Sequence, residues 1–191
     1  MATVPGLKKG ENGTVHINEV IPTSGKTPVN AVAAVGTLTI AAQPTAGDTM
    51  TIGSTVYTFV AAGSADVAGE ISVGTDLATA KTAIIAAING TDSVNTAHPL
   101  VTAGTFTVNN LPITAKIKGI AWSSIATTET FTNVGNVFDA TTLGATTEGV
   151  NGTIASKGGI CYIDNSYIYY SIAANTISDA NWRRISLGTA Y

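Results

Sequence analysis

The sequence TMTIGSTVYTFV occupies residues 49–60, where two short threonine-rich runs flank Gly53-Ser54. Apolar and polar side chains alternate in each run, which is typical of a strand with one buried face. A glycine at the first position suits a two-residue hairpin turn. The stretch therefore predicts a β-hairpin. The pattern leaves open whether Tyr57 and Phe59 or their neighbours face the core of the second strand.

An alanine-rich helix is predicted over residues 76–89, DLATAKTAIIAAIN. Asp76, or alternatively Thr75, suits the N-cap because its side chain can accept a hydrogen bond from a first-turn N–H. Asn89-Gly90 tolerates the left-handed conformation in which many helices end. One apolar stripe at helical spacing contains Leu77, Ala80, Ile84, Ala87 and Ile88.

A second hairpin is predicted over residues 105–117, TFTVNNLPITAKI, with its turn at Asn109-Asn110. Its alternation indicates a sheet with one packed side and one wet side, and the helix is the natural cover for the packed side. We therefore predict a mainly β fold with one short α-helix, in which a β-sheet or β-sandwich body carries that helix.

Three segments differ in character. Residues 1–35 are interrupted by glycine and proline and predict an extended N-terminal arm, with one candidate strand at 14–21. Residues 36–148 form the β-rich body, and 149–191 form a C-terminal β-meander lobe. The arm is either a loose terminus or an ordered extension that adds a strand to a neighbouring subunit. Val15 and Ile17 would be its interface residues in the second case.

Composition excludes several classes of protein. Hydrophobic residues make up 45% of the 191 residues and charged residues only 11%, which is more typical of an assembly component or an extracellular structural protein than of a free cytosolic enzyme. The net charge of -3 argues against nucleic acid as a partner. No apolar run is long enough for a membrane span. The first ten residues lack the pattern of a signal peptide, which predicts synthesis in the cytoplasm. The single cysteine, Cys161, is expected to be a buried, inert thiol.

Catalytic patterns are not found. His16 and His98 stand in unrelated contexts, with no third residue spaced to complete a metal site. A G-x-S-x-G elbow does not occur, and Asp164 and Asp179 occupy polar bends, where aspartate serves turn geometry. We therefore expect a protein that is not an enzyme and needs no metal or cofactor.

The C-terminal lobe contains the candidate partner-binding residues. Tyrosine, tryptophan and arginine are enriched at the anchors of protein interfaces, and in this lobe they recur within two predicted strands. The alternative is that the aromatic residues form the small core that such a lobe requires. The candidates are Tyr167, Tyr169, Trp182, Arg183 and Arg184.

Two stretches resemble structural proteins of tailed bacteriophages. Residues 36–60, GTLTIAAQPTAGDTMTIGSTVYTFV, followed by the alanine-rich helix and VTAGTFTVNNLPITAK, are similar to a module that recurs in those proteins. The end of the chain, NTISDANWRRISLGTAY, resembles the ends of head or capsid accessory proteins. The chain departs from the module at GIAWSS, where Trp122 replaces a small residue.

The resemblance implies a head decoration, or cement, protein of the virion. Such a protein binds the capsid exterior and stabilises the shell, with the major capsid protein and neighbouring copies of itself as partners. One alternative is a tail, baseplate or fibre-associated virion protein that contacts host glycans through Tyr167, Tyr169 and Trp182. A second alternative is a secreted carbohydrate-binding module.

Overall fold

The computed structural model describes residues 7–9, 15–17, 28–153, 160–163, 167–173 and 181–188. In the three-residue strands at 7–9 and 15–17 and the strand at 160–163 it describes the backbone only. The chain forms two compact units: a central unit, Ala31–Asn151, and a terminal unit that combines Met1–Asn30 with Gly152–Tyr191.

Thirteen strands, one α-helix and one 3₁₀ helix are present in the described residues. In chain order they are β1 Leu7–Lys9, β2 Val15–Ile17, β3 Ala33–Thr39, β4 Thr49–Ile52, β5 Thr55–Val60, β6 Glu70–Ser72, α1 Leu77–Asn89, β7 Val101–Ala103, β8 Asn110–Lys118, the 3₁₀ helix Ile120–Ser124, β9 Thr127–Glu129, β10 Val137–Phe138, β11 Ile160–Ile163, β12 Tyr167–Ser171 and β13 Trp182–Ser186. The prediction of a mainly β chain with one short helix is confirmed.

The central unit contains two four-stranded sheets, with strand orders β10-β3-β8-β7 and β6-β5-β4-β9. All of their neighbouring strands run antiparallel except the parallel pair β5 and β6. Both sheets contribute to one hydrophobic core, since Leu38 and Ile113 of the first sheet lie in the same cluster as Met50 and Phe59 of the second. The two sheets are therefore held together by a shared apolar interior.

The first hairpin forms as predicted. Ile52 pairs with Thr55 across the turn, and Gly53 at the first turn position has φ of +60°, a conformation that glycine adopts at no steric cost. Tyr57 and Phe59 are the buried residues of β5, at 2% and 0% exposure, whereas Val56 is half exposed. The open alternative is thus resolved in favour of the aromatic face.

Helix α1 joins the edges of the two sheets, because it packs against β6 of one sheet and β7 of the other. Asp76 is its N-cap, as predicted: its carboxylate accepts the Thr79 N–H at 2.8 Å, and the Thr79 hydroxyl oxygen accepts the Asp76 N–H. Gly90 ends the helix with φ of +64°. The buried residues of the helix are Ala80, Ile84, Ala87 and Ile88.

The second hairpin differs from its prediction. The hairpin that contains β8 is formed with β7, Val101–Ala103, and residues 104–109 connect the two strands. The tight turn within that connection is centred on Val108-Asn109, because Thr107 and Asn110 exchange both backbone hydrogen bonds. The alternation at 105–108 arises from an irregular loop: Phe106 is half-buried, but Val108 is 84% exposed.

The central unit begins earlier than predicted. Residues 31–35 were assigned to the arm, yet Ala31 and Ala34 are buried at 4% and 0% exposure, and the predicted boundary at residue 36 falls inside β3. Val32 and Val150 exchange both backbone hydrogen bonds, so the chain enters and leaves the central unit side by side. The apolar sequence NAVAAV at 30–35 is therefore used as core and strand.

The terminal unit contains two small sheets. In the N-terminal segment β1 and β2 pair antiparallel, with Leu7 opposite Ile17, where only the second strand was expected. In the C-terminal segment β11, β12 and β13 form the predicted three-stranded antiparallel meander.

Candidate partner-binding surface

Strands β12 and β13 sort their side chains onto two faces of the meander. Tyr169 lies directly opposite Arg184, and Tyr170 lies directly opposite Arg183. Successive residues of a strand point to opposite faces, and directly opposed residues share a face. The register therefore places the candidate residues in two different surroundings.

The aromatic–arginine face consists of Tyr167, Tyr169, Trp182 and Arg184. The two tyrosine rings have centroids 6.2 Å apart and are tilted by 59°. The Cζ atom of Arg184 lies 4.2 Å from the centre of the Tyr167 ring, within the range of a cation–π contact. This contact restrains a side chain that would otherwise be flexible.

A cavity of about 380 Å³ opens on this face. Its position depends on Thr153, which exchanges backbone and side-chain hydrogen bonds with Val29 and accepts the Trp182 indole N–H at 3.4 Å. These contacts bring residues 28–30 beside the meander. The residues that line the cavity are Pro28, Asn30, Tyr169, Trp182, Arg183 and Arg184.

The opposite side, which we call the apolar face, contains Ile168, Tyr170 and Ile185, together with Arg183, which lies directly opposite Tyr170. Ile185 is 55% exposed and Tyr170 is 36% exposed. Ile172 and Leu187, just beyond the two strands, are exposed to a similar degree. Adjacent exposed apolar side chains of this size are typical of interaction surfaces.

The structure brings together five of the seven predicted interface residues: Tyr167, Tyr169, Trp182, Arg183 and Arg184. Trp182 is half-buried, so it contributes both to the packing of the lobe and to the cavity wall. Val15 and Ile17 lie in β2, but their side chains are outside the described residues, as are the Cys161 side chain and the bends with Asp164 and Asp179.

Sequence reasoning missed two parts of this surface. Pro28 and Asn30 are more than a hundred positions away from the meander, and nothing in their local pattern indicates that they line a cavity. Alternation along 167–171 and 182–186 separates Tyr170 from Tyr169 and Ile185 from Arg184, but only the register of β12 and β13 shows that Tyr170 and Ile185 share a face.

His98 is a buried, hydrogen-bonded residue of the central unit. Its ring is buried, and Nδ1 accepts the N–H groups of Leu100 and Val101 at 3.1 and 3.2 Å. The proton must then lie on Nε2, which donates to the Ile52 carbonyl at 3.1 Å. Burial holds the pKa of His98 below its ordinary value, so the ring is neutral and fully hydrogen-bonded.

The hydroxyl of Tyr57 is a second titratable group in the interior of the central unit. Burial raises the pKa of Tyr57 to about 12, and the charge of Asp92 adds to the rise, so this hydroxyl stays protonated.

Across the described residues, no three His, Cys, Asp or Glu side chains come together as a metal site would require. The described ranges also contain no helix with the length and apolar character to cross a membrane.

Comparisons with known proteins were made by family, by sequence and by structure. No family model, curated protein or solved structure matches this chain. The support for a function therefore comes from the partner-binding surface of the meander and from the sequence resemblance.

Proposed function

We propose that this protein is a structural component of a tailed-bacteriophage virion that binds the outer surface of the capsid and stabilises it. Its partners are then the major capsid protein and neighbouring copies of itself, and it has no catalytic role. The observation that carries the proposal is the apolar face of the meander, on which Tyr170 and Ile185 are exposed together.

Several features support a role in assembly. The central unit has a closed core, with Leu38, Ile84 and Phe59 at 0% exposure, although Ile117 and Ile120 are 45% and 51% exposed. The terminal unit exposes isoleucine, tyrosine and arginine together on a short sheet, and these residue types are suited to contacts with a partner. With only 11% charged residues, the chain has little electrostatic repulsion to oppose close packing of many copies.

Binding to purified heads that lack the protein tests the proposal. We expect saturable binding of the full chain to the shell and greater resistance of the loaded heads to heat. The Ile185→Asp variant places a charge in the middle of the apolar face and should bind at least about tenfold more weakly, as expected for a residue at the centre of an interface.

Val134→Asp is the matched control, because Val134 is 95% exposed on the central unit, away from the meander strands in the sequence. This variant should bind as the unchanged protein does. Labelling of tails alone would refute the capsid assignment, and so would equal binding of the Ile185→Asp variant and the control. Activity on a polysaccharide that one Asp or Ser substitution abolishes would refute the non-catalytic role.

A further inference from the structure

Two adjacent arginines contribute to the lining of the cavity on the aromatic–arginine face, and the Arg183 side chain belongs to the opposite face of the strand. Arg183 and Arg184 both line the cavity, and the lining residues that the structure describes include no acidic one. Within the described part of the chain, neither guanidinium has a carboxylate partner. The whole sequence has a net charge of -3. Two adjacent unpaired arginines in such a chain favour an anionic ligand.

Arg184 is held ready for such a ligand. Its Cζ atom lies 4.2 Å from the centre of the Tyr167 ring, and a guanidinium held by a cation–π contact keeps N–H donors for a further partner. These donors match the two oxygens of a carboxylate in a bidentate pair. Tyr169 and Trp182 add aromatic walls, which exclude water and strengthen the charged contact.

The neighbouring backbone indicates what kind of molecule carries the carboxylate. In the described sheet β13 is an edge strand, with β12 on one side, and its residues from Arg183 to Ser186 are exposed. An exposed edge strand is a template for a further strand from another chain. Arg183 and Arg184 point to opposite faces, so consecutive acidic residues on an added strand would reach one arginine each.

We propose that β13 and the cavity together bind an extended acidic segment of a protein partner, with one carboxylate held by Arg184 beside Tyr169 and Trp182. The choice of a protein partner rests on the proposed capsid-binding function. The size of the cavity fits this ligand, because about 380 Å³ is near the lower end of the range of ligand sites and accommodates one side chain.

The test measures binding of two synthetic peptides to the full chain by calorimetry. Ac-Thr-Val-Asp-Glu-Val-Thr-amide carries two consecutive acids, and Ac-Thr-Val-Asn-Gln-Val-Thr-amide has the same shape without charge. We expect the acidic peptide to bind at least tenfold more tightly and to weaken as salt is raised. Equal affinity for the two peptides would overturn the proposal.

Variants locate the contact. Arg184→Gln should weaken binding of the acidic peptide at least tenfold, and Arg184→Lys should be intermediate because it retains the charge but loses the fork of donors. Lys118→Gln removes the same charge from an exposed residue of the central unit and should leave binding unchanged. Unfolding midpoints equal to that of the unchanged protein would show that each variant is folded.

Three further outcomes separate the ligands and the proposals. If a sialic acid-containing oligosaccharide binds more tightly than the acidic peptide, in an Arg184-dependent manner, the site is a glycan site and the peptide proposal fails. If the Arg184→Gln variant binds heads as well as the unchanged protein does, this inference fails while the capsid-binding function stands. If the protein binds the acidic peptide but no heads, the capsid-binding function fails instead.

Discussion

Val108 is the residue whose substitution we expect to stabilise the protein. It occupies the first central position of a two-residue turn closed by the Asn110 N–H on the Thr107 carbonyl at 3.0 Å. Its φ of +56° is the only positive value among the non-glycine residues described. A β-branched side chain in that region is strained, and at this turn position proteins usually place glycine.

The magnitude follows from three contributions. The left-handed conformation costs a non-glycine residue about 1–2 kcal/mol, which Val108→Gly removes. Glycine costs about 0.5–1 kcal/mol through the greater freedom of the unfolded chain. Little packing is lost, because the Val108 side chain is 84% exposed. The net gain is about 0.5–1 kcal/mol, which raises the unfolding midpoint of a chain of this size by about 2 °C.

A matched control is available in the same unit. Val134 is the first central residue of another turn, closed by the Asn136 N–H on the Asn133 carbonyl at 2.9 Å. It is 95% exposed, and its φ is negative. Val134→Gly therefore incurs the glycine cost without relief of strain and should destabilise the protein by about 0.5–1 kcal/mol.

Urea and thermal unfolding of both variants measure the difference, which we expect to be about 1–2 kcal/mol in favour of Val108→Gly. A Val108→Gly variant no more stable than Val134→Gly would refute the assignment of strain. Lys81 is a further check, since its ammonium group donates to the Val108 carbonyl and to Asn109 Oδ1, each at 2.8 Å. Lys81→Met should reduce the effect if this clamp holds the turn in its strained form.

Three other predictions test the central unit. The free energy of unfolding should fall as pH drops through about 6.5, because the folded state binds the His98 proton less readily than the unfolded state does. In the His98→Asn variant, the free energy of unfolding measured in urea should depend less on pH between pH 7 and 5. Asp48→Asn should cost about 2–3 kcal/mol in urea unfolding, since the buried carboxylate accepts three hydrogen bonds. Ile84→Ala should lower the free energy of unfolding by about 2–5 kcal/mol, and the half-buried Ile85→Ala by clearly less.

The elements that sequence predicts well are those in which local chemistry and burial agree. Helix α1 has its cap at Asp76 and its end at Gly90, and the β4–β5 turn has the glycine that its geometry requires. The second turn was misplaced by one residue because Val108 violates the preference of its position. Tertiary contacts, including the hydrogen bond from Lys81 to the Val108 carbonyl, stabilise a turn that the residue preferences of its positions disfavour.

The sequence predicted which residues of the meander belong to the candidate surface, but it did not predict the face that they share or the cavity. Tyr169, Trp182 and Arg184 were chosen because of their residue types, and the register of β12 and β13 places them on one face. The cavity also requires Pro28 and Asn30, which the Val29–Thr153 hydrogen bonds bring from a distant part of the chain. Pairing over such a separation leaves no local pattern in a single sequence.

The side-by-side hydrogen bonds of Val32 with Val150, and of Val29 with Thr153, have a mechanical consequence. Because the chain leaves the terminal unit and returns to it at adjacent positions, the central unit is topologically an insert. A load transmitted from one chain end to the other passes through the Val29–Thr153 and Val32–Val150 pairs before it reaches the core. The folded insert is therefore protected from tension for as long as the hydrogen bonds of these two residue pairs remain intact.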